Sequence, residues 1–403
     1  MVDQLKDEAT ALAGGYAPTG GSLYFDPRTL IDRARAESGL DQFGSDPFED
    51  GLKVCCASLE QEAGLNEQGR ASAASAIVAS LAERLRVDDC LRRNPQILDV
   101  ELKPQVFVIG LPRTGTTALS QFMSEDPDAR SVRRWELNSL TPPPDANGPE
   151  DPRVAATRIA FAARDAAEPR LRTMLPLEAE DPSEHGQLLG LTFRSLHYPT
   201  LYNVPSYRDW LLTADMKPAF AYMAKVLKLL QWKTPGRYWN LKNPPDVFLL
   251  DAVDAAFGGA TFVWSHRDPA LSIPSVCSLA ALKRAATVDR IDRHALMAYV
   301  LDFQAEGVRR GLAARARMGE HRFVDVTQAE LGRDTLGVIR RLYERLGLPF
   351  TATYESHLRR RMERRPRGQH GRHEYDRDEF GFSPDEIRGC FGDYLARFDV
   401  VGA

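Results

Sequence analysis

Cysteine is scarce in this 403-residue chain: five residues, Cys55, Cys56, Cys90, Cys277 and Cys390. The number is odd, and no Cys-x-x-Cys or Cys/His ligand spacing occurs. A disulfide framework and a structural zinc site are therefore excluded, and a reducing compartment is expected. No apolar run approaches membrane-spanning length. Met1 to Gly15 lacks the basic-then-apolar order of a secretory signal. The expectation is a cytoplasmic protein with no stable membrane insertion. Net charge is −4, so no global field draws the chain to nucleic acid. Internal repeats and low-complexity tracts are absent too.

What is present is a large apolar fraction, 43%, enough for a sizeable core with attached helical parts. Residues 1–103 read as a mostly helical preface, with Ile77, Leu81 and Leu85 four apart on a helix over Ala71 to Cys90. Residues 104–350 alternate short apolar strands (Val106–Ile109, Tyr238–Leu241, Thr261–Trp264, His321–Val326) with helical stretches. That order predicts an α/β fold: a three-layer α/β/α core around a mostly parallel central sheet. A helical insertion, 138–236, separates the first two of these strands. Residues 351–403 form a basic segment and a tail predicted to pack back as a helix. Helices are also expected over Asp246 to Phe257, Arg293 to Arg317 and Leu331 to Leu346.

The most informative segment is Phe107-Val-Ile-Gly-Leu-Pro-Arg-Thr-Gly-Thr-Thr117. A strand runs into a glycine loop and then a helix, the arrangement in which backbone N–H groups and a helix N-terminus cradle an anion. Gly110 and Gly115 keep the spacing of a nucleotide-triphosphatase loop, but Thr116 stands where that loop has its lysine, and Arg113 lies inside the loop. A migrating phosphoryl group needs lysine and magnesium to offset its charge. A sulfuryl group carries one negative charge fewer, so amides and one arginine suffice. Taken alone, the segment also fits a plain glycine turn in a nucleotide-fold sheet.

Two further strand ends carry polar groups. Arg267, in His266-Arg-Asp-Pro269, and Ser275, eight residues on, suit a shared oxyanion; the bland alternative is an Arg267–Asp268 pair and a helix-facing serine. Lys242, in Lys242-Asn-Pro-Pro245, projects from the sheet edge where ligands bind in open parallel sheets, or else is a solvated strand-end lysine.

Together these segments resemble the sulfotransferases, and in particular the broad group containing bacterial and tyrosine-protein enzymes. The resemblance covers about residues 104–398. It implies a P-loop-like fold and 3′-phosphoadenosine 5′-phosphosulfate (PAPS) as co-substrate, with no metal. The loop residues Arg113, Thr114, Gly115, Thr116 and Thr117 would bind the 5′-phosphosulfate, and Arg267 and Ser275 the 3′-phosphate. Lys242 would contact the leaving oxygen. Members of the group often have a histidine four positions after that lysine; here the position is Asp246. Many also have a Trp-Glu after the next strand-like segment, which puts Glu136, 23 residues beyond Arg113, first as general base. His185 is the second choice. Glu136 can equally pair with Arg133 or Arg134, and His185 can be a packing residue.

Between Arg359 and Arg372 there are seven arginines against one acid, Glu363. This is either a solvated face or a flap over the nucleotide, with Arg365, Arg367 and Gly368 as its contacts. Partners are expected to be a small-molecule acceptor, with no nucleic acid and a possible homodimer. The aromatic-rich insertion suggests an apolar acceptor or simply core. Competing readings are a P-loop kinase, a DxD glycosyltransferase resting on Asp126-Pro-Asp128 and Asp376-Arg-Asp378, and a sulfotransferase-fold binding protein without catalysis.

Overall fold

The computed structural model describes residues 24–365 and 378–401. Its centre is a five-stranded sheet: β1 (Gln105–Gly110), β2 (Ala129–Arg130), β3 (Tyr238–Lys242), β4 (Thr261–His266) and β5 (Phe323–Thr327), in spatial order β2-β3-β1-β4-β5. Every pairing is parallel. The apolar strands read from the sequence are all present, and the two-residue β2 adds an edge to them.

Side-chain alternation divides the core. Phe107, Ile109, Trp239, Leu241, Phe262 and Trp264 face one layer. Val106, Val108, Tyr238 and Val263 face the other, where they meet Ile339, Leu342 and Tyr343. Both faces are covered, as an all-parallel sheet requires.

Three N-terminal helices, α1 (Pro27–Ser38), α2 (Glu49–Gln61) and α3 (Glu67–Arg93), stack on the first layer. Helix α3 exceeds the expected span at both ends. It starts at Asn66, whose side chain caps Gly69 N, and stops at Asn94, asparagines being good caps. The buried Arg84 binds this preface to the insertion: its guanidinium lies 4.3 Å from the Tyr222 ring and donates to Leu191 O at 3.0 Å.

After β1 comes α4 (Thr116–Met123). The insertion follows β2, and its longest late helix is α5 (Lys217–Gln231). The single helix expected over Asp246 to Phe257 is instead a 3-10 turn, Pro244–Phe248, followed by α6 (Leu250–Ala256). Pro244 and Pro245 lack N–H groups, and the Asp246 carboxylate is drawn inward. Helix α7 (Pro269–Arg284) is capped by Asp268; α8 (Arg293–Met318) is continuous. The Leu331–Leu346 span is broken at Asp334, whose side chain caps a fresh helix, α9 (Thr335–Leu346). Helix α10 (Ala352–Arg364) carries the first part of the basic segment. The tail folds back as two short helices, Pro384–Gly389 and Gly392–Arg397, rather than one. Its Phe380, Phe391, Tyr394 and Phe398 pack with Ile273 and Leu296.

The chain leaves β1 towards β2 on one side and crosses from β3 to β4 on the other. That reversal opens a crevice above the carboxyl ends of β1, β3 and β4.

Candidate active site

The loop above β1 is shaped by two left-handed residues. Gly115 (φ 98°) starts α4, and Arg113 has φ 68°, unusual for a side chain with a Cβ. Gly110 (φ 138°) must be glycine: a Cβ there would sit 2.4 Å from Ser265 O on β4. The turn is held from both sides. Thr114 Oγ1 donates to Leu111 O at 2.7 Å, and Ser265 Oγ donates to Thr114 O at 2.7 Å.

The loop after β1 and the end of β4 meet. Arg267 Nη1 donates to Arg113 O at 3.0 Å, and Arg113 Nε donates to Ser275 Oγ at 3.1 Å. Arg113 Nη1 also reaches Met174 O in the insertion at 3.2 Å. Asp268 does not pair with Arg267: its carboxylate caps Ala270 N and takes Arg388 Nη2 at 2.7 Å. Arg113 after β1, Arg267 after β4 and Ser275 within α7 thus form one cluster.

Lys242 joins it from β3. Its Nζ lies 3.4 Å from Thr117 Oγ1, in the first turn of α4, and donates to Glu184 Oε1 at 2.8 Å. Backbone pairing fixes this contact. Glu184 bridges in parallel to Lys242, and His185 N donates to Lys242 O at 3.2 Å. Lys242 is 2% accessible at its side chain and Glu184 38%, so the carboxylate opens onto the cleft while the ammonium lies beneath it. Burial alone would raise the Glu184 carboxyl; the Lys242 ammonium, with His197 and Lys283 beyond it, overcomes that and brings it down to about 2. Burial lowers Lys242 from the usual lysine range, against the pull of Glu184. Lys283 is likewise lowered, first by burial and then by repulsion from Arg113, Arg164 and Arg134, with Glu184 opposing. Arg134 completes the ring of cations. Its Nε is buried with no hydrogen-bond partner among the described residues.

Glu136 is elsewhere. It lies in the short helix Arg134–Asn138, 1% accessible. Arg130 clasps both its oxygens, and Arg133 N donates to Oε2 at 2.7 Å. The partner is neither Arg133 nor Arg134 through their side chains. His185 is also turned inward. Its Nε2 is 2.6 Å from Asp246 Oδ2, with both side chains fully buried, and its ring meets Phe107 edge-on. Asn243 donates to the other Asp246 oxygen at 2.6 Å. This dyad pins the turn after β3 to the segment carrying Glu184.

Of the basic segment, Arg365 is described: it pairs with Asp181 (2.8 Å) and Glu178 (3.5 Å). Arg361 pairs with Asp181 and Glu125. Arg367 and Gly368 lie outside the described residues, as does Asp376 of the second DxD.

The profile of the sulfotransferase family matches residues 104–352, more than half of the chain and the whole crevice. The chain belongs to the sulfotransferase family. Two solved structures are similar over nearly their full length. Sulfotransferase STF9 from Mycobacterium avium is 27% identical with a TM-score of 0.87, covering 95% of this chain and 99% of that one. Sulfotransferase STF1 from Mycobacterium tuberculosis H37Rv is 28% identical with a TM-score of 0.81, covering 91% and 98%. No curated protein matches. The chain is thus a sulfotransferase, an α/β transferase with abundant helix. No helix among the described residues is long and apolar enough to cross a membrane.

Four residues at the crevice had gone unassigned: Glu184, Arg134, His197 and Lys283. Only Glu184 had a signal, its place beside His185 in an acidic stretch after Pro182.

Proposed function

We propose that this sulfotransferase moves a sulfuryl group from PAPS to the hydroxyl of a small molecule, leaving adenosine 3′,5′-bisphosphate. The observation that carries the reading is the position of Lys242, between Thr117 on the anion-cradling loop and Glu184 on the open side of the cleft. The residues suit the donor. A glycine-shaped loop offers backbone N–H groups, Arg113 and Arg267 stand beside it, and Arg134 holds a buried N–H without a partner among the described residues. Bound, the donor supplies an activated sulfuryl group on a phosphate leaving group.

The N–H groups of residues 113–117, with the Arg113 and Thr117 side chains, bind the phosphosulfate end. Arg267 and Ser275 bind the 3′-phosphate. Glu184 takes over the role first expected of Glu136. Ionised through the physiological range, it accepts the proton from the acceptor hydroxyl as the acceptor oxygen bonds to sulfur. The bond from sulfur to the bridging oxygen breaks, its electron pair stays with the phosphate, and Lys242 stabilises that developing charge. His185 and Asp246 act by positioning Glu184.

The test is transfer itself. Enzyme and sulfur-labelled PAPS are added to a metabolite extract, and mass spectrometry looks for molecules gaining one sulfate. Enzyme-dependent sulfated products support the reading. Consumption of ATP–magnesium with phosphorylated products instead would replace it with the kinase reading.

A further inference from the structure

A cleft of about 400 Å³ lies between α3 and the insertion. On its α3 side Ala73, Ala76 and Ala79 stand beside Ser80, Glu83 and Arg86, and its opposite wall includes Leu188, Leu191 and Tyr198. Its charged lining residues are already occupied. Arg86 pairs with both Glu83 and Glu37, and Glu83 also accepts from Leu140 N at 2.6 Å. An anionic or cationic guest would have to break those pairs, whereas an apolar one covers apolar wall and leaves them intact.

The cleft adjoins the reacting centre. Gln187, three residues beyond Glu184, lines it, and Gln187 N donates to Glu184 O at 3.3 Å. His197 lines it as well, and it shares the electrostatic neighbourhood of Glu184 and Lys283. Burial, then the Lys283 charge, brings His197 down to about 4. Its imidazole is neutral at pH 7 and has no hydrogen-bond partner among the described residues, so it is able to bond a neutral hydroxyl.

Resting on the function proposed above, we infer that this cleft is the acceptor site and that the acceptor is an uncharged apolar alcohol or phenol, its hydroxyl held between His197 and Glu184. The volume is in the range of small-molecule sites, of order 300–1,000 Å³. The helical preface therefore forms half of the acceptor site as well as covering the sheet. Acidic peptides find no free charge there, and a sugar's several hydroxyls would face Ala73, Ala76, Ala79, Leu188 and Leu191.

Ala79 is exposed on the cleft side of α3, so Ala79→Trp fills the cleft without disturbing the core. The probes are 2-naphthol and glucose, titrated calorimetrically into the full chain saturated with adenosine 3′,5′-bisphosphate, and then turned over with PAPS. The expected result is that 2-naphthol binds and is sulfated while glucose is not. Ala79→Trp should lose at least about tenfold in naphthol affinity and keep bisphosphate affinity within twofold. His197→Ala should weaken naphthol in the same way. Equal naphthol binding by wild type and Ala79→Trp, or sulfation of glucose but not naphthol, overturns the assignment. Failure of the wild type to bind the bisphosphate overturns the donor reading instead, and the two results are separate in one titration series.

Discussion

Lys242 Nζ and Glu184 Oε1 are 2.8 Å apart, a cation from the end of a strand and an anion from the insertion. In the proposed reaction the strand end supplies the group for the leaving oxygen, and the insertion supplies the group for the acceptor. The first prediction concerns that anion. Glu184→Gln keeps the shape and removes the proton acceptor, so kcat should fall about 10²- to 10⁴-fold. Bisphosphate affinity should hold or tighten, because a negative charge leaves a cationic site. Rapid-quench turnover with calorimetry on the same variant checks both. Turnover within threefold of wild type would place the base elsewhere.

The pair also sets a pH dependence whose sign is determined. In the folded chain Glu184 lies near 2, below the roughly 4.3 of an unfolded glutamate. It contributes stability that is complete above the unfolded value and is lost as pH falls towards 2. In Lys242→Met burial remains without its chief opponent, so the carboxyl rises and this contribution changes sign. The gap in Tm between wild type and Lys242→Met should narrow as pH drops from 7 to 4. A gap that is constant or widens over that range would show that Lys242 does not hold the carboxylate ionised.

A division of roles separates Arg267 from Lys242. Arg267→Ala removes a charge-assisted contact worth about 1.5–3 kcal/mol, so bisphosphate affinity should fall roughly 10- to 100-fold. Lys242→Ala should abolish transfer while changing affinity for intact PAPS no more than about threefold, its target being charge that grows only as the donor's sulfur–oxygen bond breaks, whereas Arg267→Ala should weaken PAPS binding as it weakens that of the bisphosphate. Calorimetry of both variants decides the matter. Equal affinities would contradict the assignment.

Glu136 should behave as a structural residue. Breaking a buried, hydrogen-bonded ion pair costs about 3–5 kcal/mol, because Arg130 keeps its charge in the interior. Glu136→Gln should therefore lower Tm by several degrees, while the folded fraction keeps its kcat. Loss of kcat at unchanged Tm would return Glu136 to the role of base.

The placement of these residues shows where the sequence was readable. The loop from Gly110 to Thr117, Lys242, and the Arg267–Ser275 pair lie on contiguous strand-to-helix segments, where local pattern fixes direction and spacing. The parallel sheet followed from the same segments. The pairing of Glu136 with Arg130 left no signal, because Arg130 ends a two-residue strand too short for any periodic pattern. Glu184 sits in an irregular part of the insertion and His197 at the start of a five-residue helix. Their places depend on a backbone bridge to β3 and on packing against α3, contacts between distant parts of the chain that leave no spacing to read. The break at Asp334, just before α9, and the proline turn after β3 were local capping events inside longer helical patterns.

The most direct test of the central claim is a calorimetric titration of the wild-type chain with adenosine 3′,5′-bisphosphate and, separately, with ATP–magnesium. The account predicts saturable binding of the bisphosphate at one site per chain, weakened by Arg267→Ala, with ATP–magnesium at least about tenfold weaker. Tight ATP–magnesium binding with none of the bisphosphate would contradict it.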